Sequence, residues 1–191
     1  LKKYIKAVSE RNPVEFLNSK SVLSEKNKRI LLIDHKKIFT IEDQQLRQEL
    51  LDRFQHFLNI ENQQDTDKYQ ILDVAVRVAG TGSIGLNRYI FLVFDQTVQD
   101  YLFFDVKQTQ PSSLTLMPDL KTIQPPWQNQ AERIQTIQNY MQYIIPAFLS
   151  SFSFHNDTYL VKQLQPEQDK ITFKDYIDKP HKIIEAWQSM A

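Results

Sequence analysis

Three glycines, a serine and a lysine are the residues in this chain best suited to chemistry. Gly80-Thr81-Gly82-Ser83-Ile84-Gly85 has the spacing GxGxxG, in which glycine lets a backbone approach an anion that a Cβ would hold away. The 191 residues include only 3 glycines, all in this segment, where average usage near 7% would give about 13. Several architectures use the spacing, so its surroundings must decide between them. A dinucleotide fingerprint needs a helix directly after the loop, to set the pyrophosphate on the helix N-terminus. Here the continuation, Leu86 to Phe94, reads as a strand. A Walker A loop needs lysine and then Ser or Thr after its last glycine, and Leu86-Asn87 stands there. A glycine loop between two antiparallel strands is what kinases fold over nucleotide phosphates, and it demands a lysine on the third strand. Lys107, at the end of Leu102 to Lys107, meets that demand, although the glycine spacing does not dictate its position. The plainer reading is a hairpin whose glycines supply positive φ and whose lysine is solvated. Three glycines in one loop of a glycine-poor chain exceed what a turn requires.

Other chemistry is set aside on composition. Without cysteine there is no disulfide, thiol nucleophile or thiolate metal site. His35, His56, His155 and His181 are far apart and form no ligand pair. Ser83 lacks the flanks of a GxSxG nucleophile and is better suited to hydrogen-bonding a phosphate. Asp34-His35 reads as the polar end of a short apolar run, and Trp127 and Trp187 as packing anchors. Lys+Arg 23 against Asp+Glu 23 gives net charge +0, which argues against nucleic acid or an anionic membrane as partner. No run is as long as a membrane span and LKKYIKAVSERN has no signal-peptide core, so a cytoplasmic protein is expected. The chain starts at Leu1, as a processed or partial chain would.

Periodicity supplies the elements that must hold the loop. Asn12-Pro13-Val14-Glu15 predicts a helix start near Pro13. A second start at Thr40 precedes Leu46, Leu50, Phe54, Phe57 and Leu58 on one face, with an end near Asn59. Arg29 to His35 is compatible with a strand or a buried helical turn. After a polar joint at Glu61 to Lys68, strands are expected at Ile71–Ala79, Tyr89–Phe94 and Leu102–Lys107. Ile134, Ile137, Met141, Ile144 and Ile145 mark one face of a helix that Pro146 should end or bend. A fourth strand follows at Thr158–Leu164, a short fifth at Ile171–Phe173 and a closing helix at Tyr176–Met190. The expectation is an α+β fold: an antiparallel sheet of about five strands, with a packed helix between its third and fourth and helices at both ends. Its divisions are a helical segment over 1–65, a nucleotide-binding region over 66–175 and a C-terminal helix over 176–191.

The chain resembles the bacterial domain-of-unknown-function family 2252, grouped with the protein-kinase-like superfamily. Four stretches carry the likeness: Asp73 through Gly85, Arg88-Tyr89, Phe104-Asp105-Val106-Lys107-Gln108-Thr109-Gln110-Pro111-Ser112, and Tyr159-Leu160-Val161-Lys162-Gln163-Leu164. The resemblance implies that the sheet is similar to a kinase N-lobe and that ATP with Mg is the cofactor. It further implies that Gly80, Thr81, Gly82, Ser83 and Gly85 cover the nucleotide and that Lys107 pairs with its phosphates. Gln163 would approach the adenine hinge. Two positions depart from the family pattern: Gln108 follows the lysine where an acid is usual, and Thr136 stands where the helix glutamate is expected. Glu132 is the nearest acid to take that role; otherwise it is a solvated glutamate.

In the family, a catalytic GD-x-H-x-x-N pattern and a metal-binding DFD pattern precede the glycine loop, a permuted order. Neither occurs in this chain, so it has no catalytic residue of its own. The expectation is the nucleotide-binding part of a phosphotransferase with an unknown phosphoryl acceptor, the catalytic half lying outside this chain. The alternative is a non-catalytic, pseudokinase-like interaction or scaffold module.

Overall fold

The computed structural model describes residues 12–61, 68–80, 84–117, 125–164 and 181. Backbone contacts divide the chain into two compact units, residues 1–18 with 165–191, and residues 19–164. Helix α1 (Pro13–Lys20) starts where the sequence places it, with Asn12 Oδ1 accepting from the Val14 N–H at 2.9 Å. The segment left open between strand and helical turn contains β2 (Arg29–Leu31), which pairs antiparallel with β1 (Ser21–Leu23).

The main sheet contains β3 (Ile38–Phe39), β4 (Tyr69–Arg77), β5 (Arg88–Asp95), β6 (Asp100–Gln108), β7 (Ser150–Phe154) and β8 (Asp157–Gln163). Their order is β3-β4-β5-β6-β8-β7, every neighbouring pair antiparallel. The α+β expectation holds, with six strands in this sheet rather than about five. The additions are β3, too short for a periodic signal, and β7, whose Ser-Ser-Phe-Ser-Phe offers little apolar weight. The strand expected at Ile171–Phe173 lies outside the described residues, as does Tyr176–Met190 apart from His181.

Helix α2 (Gln44–Glu61) begins a few residues later than Thr40, because the Asp43 carboxylate accepts from the Gln45 and Leu46 N–H groups at 2.9 and 3.1 Å. Its periodic face buries Leu50, Phe54 and Leu58 against Val74, Phe91, Phe104, Val106, Phe152 and Val161. The opposite sheet face is also buried at Ala75, Ile90, Leu92 and Phe103, so the central strands read as apolar runs rather than alternating ones. α2 also reaches β4 through Gln55, whose Nε2 donates to the Tyr69 carbonyl at 2.8 Å and whose Oε1 accepts from the Ile71 N–H at 3.2 Å.

Helix α3 (Gln130–Met141) corrects the sequence reading. It stops at Met141, short of Pro146, and of its residues only Ala131 is buried. Ile137, Met141, Ile144 and Ile145 are exposed instead of forming a core face. Ile145 precedes proline, which disfavours the helical region there. Among the described residues no helix is long and apolar enough to cross a membrane.

Candidate functional site

The site begins where β4 ends. Beyond Arg77, the Val78 N–H donates to the Lys37 carbonyl at 2.7 Å, and the chain then turns at Gly80. Gly80 and Gly85 have φ of +77° and +79°, left-handed values that side chains with a Cβ rarely adopt. A Cβ at either position would meet nothing within 4 Å, so the requirement is conformational and not steric crowding. Gly85→Ala is therefore expected to cost roughly 1–2 kcal/mol, readable as a lower urea midpoint with unchanged slope. Thr81, Gly82 and Ser83 lie outside the described residues. The strand-loop-strand setting is nevertheless present, since β4 and β5 are antiparallel neighbours flanking this loop.

Both limbs of the loop are fastened to β6 or β5. Arg88, at the start of β5, donates from Nη1 to the Ala79 carbonyl at 2.6 Å. The same guanidinium grips Asp105 on β6 with Nε to Oδ1 at 2.7 Å and Nη2 to Oδ2 at 2.6 Å. Arg77 Nη1 adds a third bond to Asp105 Oδ1 at 2.8 Å. On the exit limb, Gln108 Oε1 accepts from the Asn87 N–H at 2.9 Å, and the Gln108 N–H donates to the Asn87 carbonyl at 2.8 Å. Gln108 therefore has a structural use: it holds the exit limb of the loop to the end of β6.

Asp105 is 1% exposed. Burial alone would raise its pKa; the Arg88 hydrogen bonds and the charges of Arg77 and Arg88 outweigh that and hold the carboxyl below its ordinary range. Register then places the remaining cations. Lys107 pairs with Arg88 on one side and Leu160 on the other, and Lys162 pairs with Asp105. Side chains two apart on a strand, or directly opposite across a ladder, share a face. Arg88, Lys107 and Lys162 consequently share the face of Asp105, where like charges side by side would repel without an anion among them. Asp105 is one such anion; a phosphate at the loop would be another. Tyr159, pushed up to about 12 first by burial and then by the neighbouring Tyr89, stays neutral.

Gly80, Gly85 and Lys107 are thus brought to one end of β4, β5 and β6. Gln163 lies further along the sheet, opposite Phe104, and donates its N–H to the Ala147 carbonyl at 2.9 Å. Glu132 occupies the first turn of α3: its Oε2 accepts from the Gln128 N–H at 2.8 Å, while its own N–H donates to Asn129 Oδ1 at 2.9 Å. That is a capping arrangement, and it engages the carboxylate that the resemblance offers to Lys107. Among the described residues no three His, Asp or Glu side chains gather into a metal-holding group.

Sequence reasoning passed over Arg77, Arg88 and Asp105 as site residues. The available signal was Asp105 itself, an acid inside Phe103-Phe104-Asp105-Val106 that burial forces to find a cation. Comparison with curated proteins and with solved structures finds no match. Residues 1–191 match the family described as "Uncharacterized protein conserved in bacteria (DUF2252)", and the chain belongs to it.

Proposed function

We propose that this chain is the nucleotide-binding part of a kinase-like phosphotransferase whose sheet corresponds to an N-lobe in a circularly permuted order. The loop from Gly80 to Gly85 covers the phosphates of ATP, with Ser83 as a hydrogen-bond donor, and Lys107 pairs with phosphate oxygens. ATP supplies the phosphoryl group, and the acceptor and the catalytic residues come from outside the chain. The cytoplasm, which holds ATP, is the compartment that goes with this reading. The observation that carries it is Arg88, which bonds the loop at Ala79 and β6 at Asp105 while lying opposite Lys107, so that loop and lysine share one frame. The left-handed glycines and the cationic face fit the phosphates. When bound, Mg would neutralise phosphate charge; among the described residues no three His, Asp or Glu side chains gather to hold it.

The second reading is a scaffold that keeps the lobe without nucleotide. Glu132 favours it, because its carboxylate caps α3. Titrating ATP with and without Mg while following thermal unfolding separates the two. A bound nucleotide raises stability by mass action, about 2.7 kcal/mol at one hundred times the Kd. The expected result is a rising midpoint in the full chain and a much smaller rise in Lys107→Ala. No rise at millimolar ATP, or an equal one in Lys107→Ala, leaves the scaffold reading.

A further inference from the structure

A cavity of about 100 Å³ opens between the end of α2, the start of β4 and the entry to β7, with Phe57, Glu61, Tyr69, Phe104, Phe148 and Ser150 in its wall. Four of these side chains are aromatic. The Phe148 ring meets Tyr69 and Phe104 edge to face, at centroid distances of 5.8 and 5.0 Å. Phe148 stands at φ +58°, a left-handed conformation that is an outlier for a bulky residue and is tolerated when something else is gained. Here the backbone turn brings a third ring beside Tyr69 and Phe104 at the cavity.

Glu61 brings a negative charge to the wall of this cavity. Glu61 is the last residue of α2, whose last turn has no basic residue, so a carboxylate adds to the negative end of the helix instead of a cation offsetting it. Phe57, Tyr69, Phe104 and Phe148 supply aromatic rings to the same wall. Tyr69 already attracts one cation: Lys68, which is not part of the wall, holds Nζ 5.0 Å from the Tyr69 ring centre. A carboxylate, a helix C-terminus and several rings around an apolar space are the chemistry that takes up an alkylated ammonium group.

We propose that the cavity binds a small organic ammonium ion, its alkyl groups among Phe57, Tyr69, Phe104 and Phe148 and its charge against Glu61. The site is independent of the glycine loop and of the nucleotide reading. Its test is a titration of the full chain with tetramethylammonium chloride, followed by NMR of Phe and Tyr ring resonances, with sodium chloride and tert-butanol as ionic and neutral controls. Saturable shifts at Tyr69 and Phe148 are expected, with tert-butanol about tenfold weaker or more. Glu61→Gln should weaken the ammonium response severalfold and leave that to tert-butanol unchanged. Phe148→Gly removes the ring and relieves the left-handed φ, so the fold is retained while binding is lost. The proposal is overturned if tert-butanol binds as well, if Glu61→Gln changes nothing, or if no saturable shift occurs by about 100 mM, a weak limit even for an exposed cation–π contact.

Discussion

Asp105→Asn is expected to lower stability by about 3–5 kcal/mol, the cost of removing one partner from a buried ion group. Asparagine preserves the shape but withdraws the negative charge that Arg77 and Arg88 hold at 2.8 and 2.6 Å, with the Arg side chains themselves only 19% and 13% exposed. Two guanidinium groups would then face each other in a place with little water. Urea denaturation of the full chain measures the loss. The same substitution should loosen the glycine loop, because Arg88 can no longer be held in the orientation that reaches Ala79. Faster amide exchange in residues 84–88 is the sign to look for. The pH dependence has a definite direction. Asp105 has a folded pKa below its ordinary 3.8, because Arg88 and Arg77 overcome the upward push of burial. Its contribution is therefore present above the unfolded value and lost as pH falls through the folded one. Wild type should lose stability in that acid range faster than Asp105→Asn, and parallel acid curves would show that folding does not lower the Asp105 pKa.

Phe54→Ala should be comparably severe, about 3–5 kcal/mol, because the cavity it leaves cannot collapse. Phe54 is fully buried, and its ring lies 4.0 Å from that of Phe91, 5.3 Å from Phe57, 5.5 Å from Phe152 and 5.7 Å from Phe104. It is the point at which α2 meets β5, β6 and β7 together. The comparison that gives the number meaning is Met141→Ala on α3. Met141 is 79% exposed, so the expected change is within about 0.5 kcal/mol, although both residues fall on apolar helical faces in the sequence. Chemical denaturation of the two variants side by side checks both values.

That contrast explains what the sequence could reveal. The face of α2 was legible because its apolar spacing coincides with burial. The same spacing on α3 was misleading, since periodicity reports that a face exists and not that anything covers it. The hairpin and its lysine were legible for a different reason: glycine, aromatic and β-branched residues act locally, and β4, β5 and β6 are consecutive both in sequence and in the sheet. The Arg77–Asp105–Arg88 group was out of reach because which cation meets Asp105 depends on register across three strands. The place of Glu132 was more accessible, since Asn129 followed three positions later by glutamate is itself a helix-start signature.

Gln55 has a consequence for how this molecule behaves in a crowd. A strand with one side unclaimed is a template on which another chain can polymerise, and β3 covers β4 only at Val76 and Arg77. Near its beginning β4 would present an unoccupied carbonyl and amide at Tyr69 and Ile71. The side-chain amide of Gln55 has the same donor and acceptor as a peptide group, and it occupies both. A helix thereby lends the sheet a single peptide unit in place of a neighbouring strand. Among the described residues Gln55 is what occupies these two groups, so it acts there as a guard against strand addition and fibrous self-association.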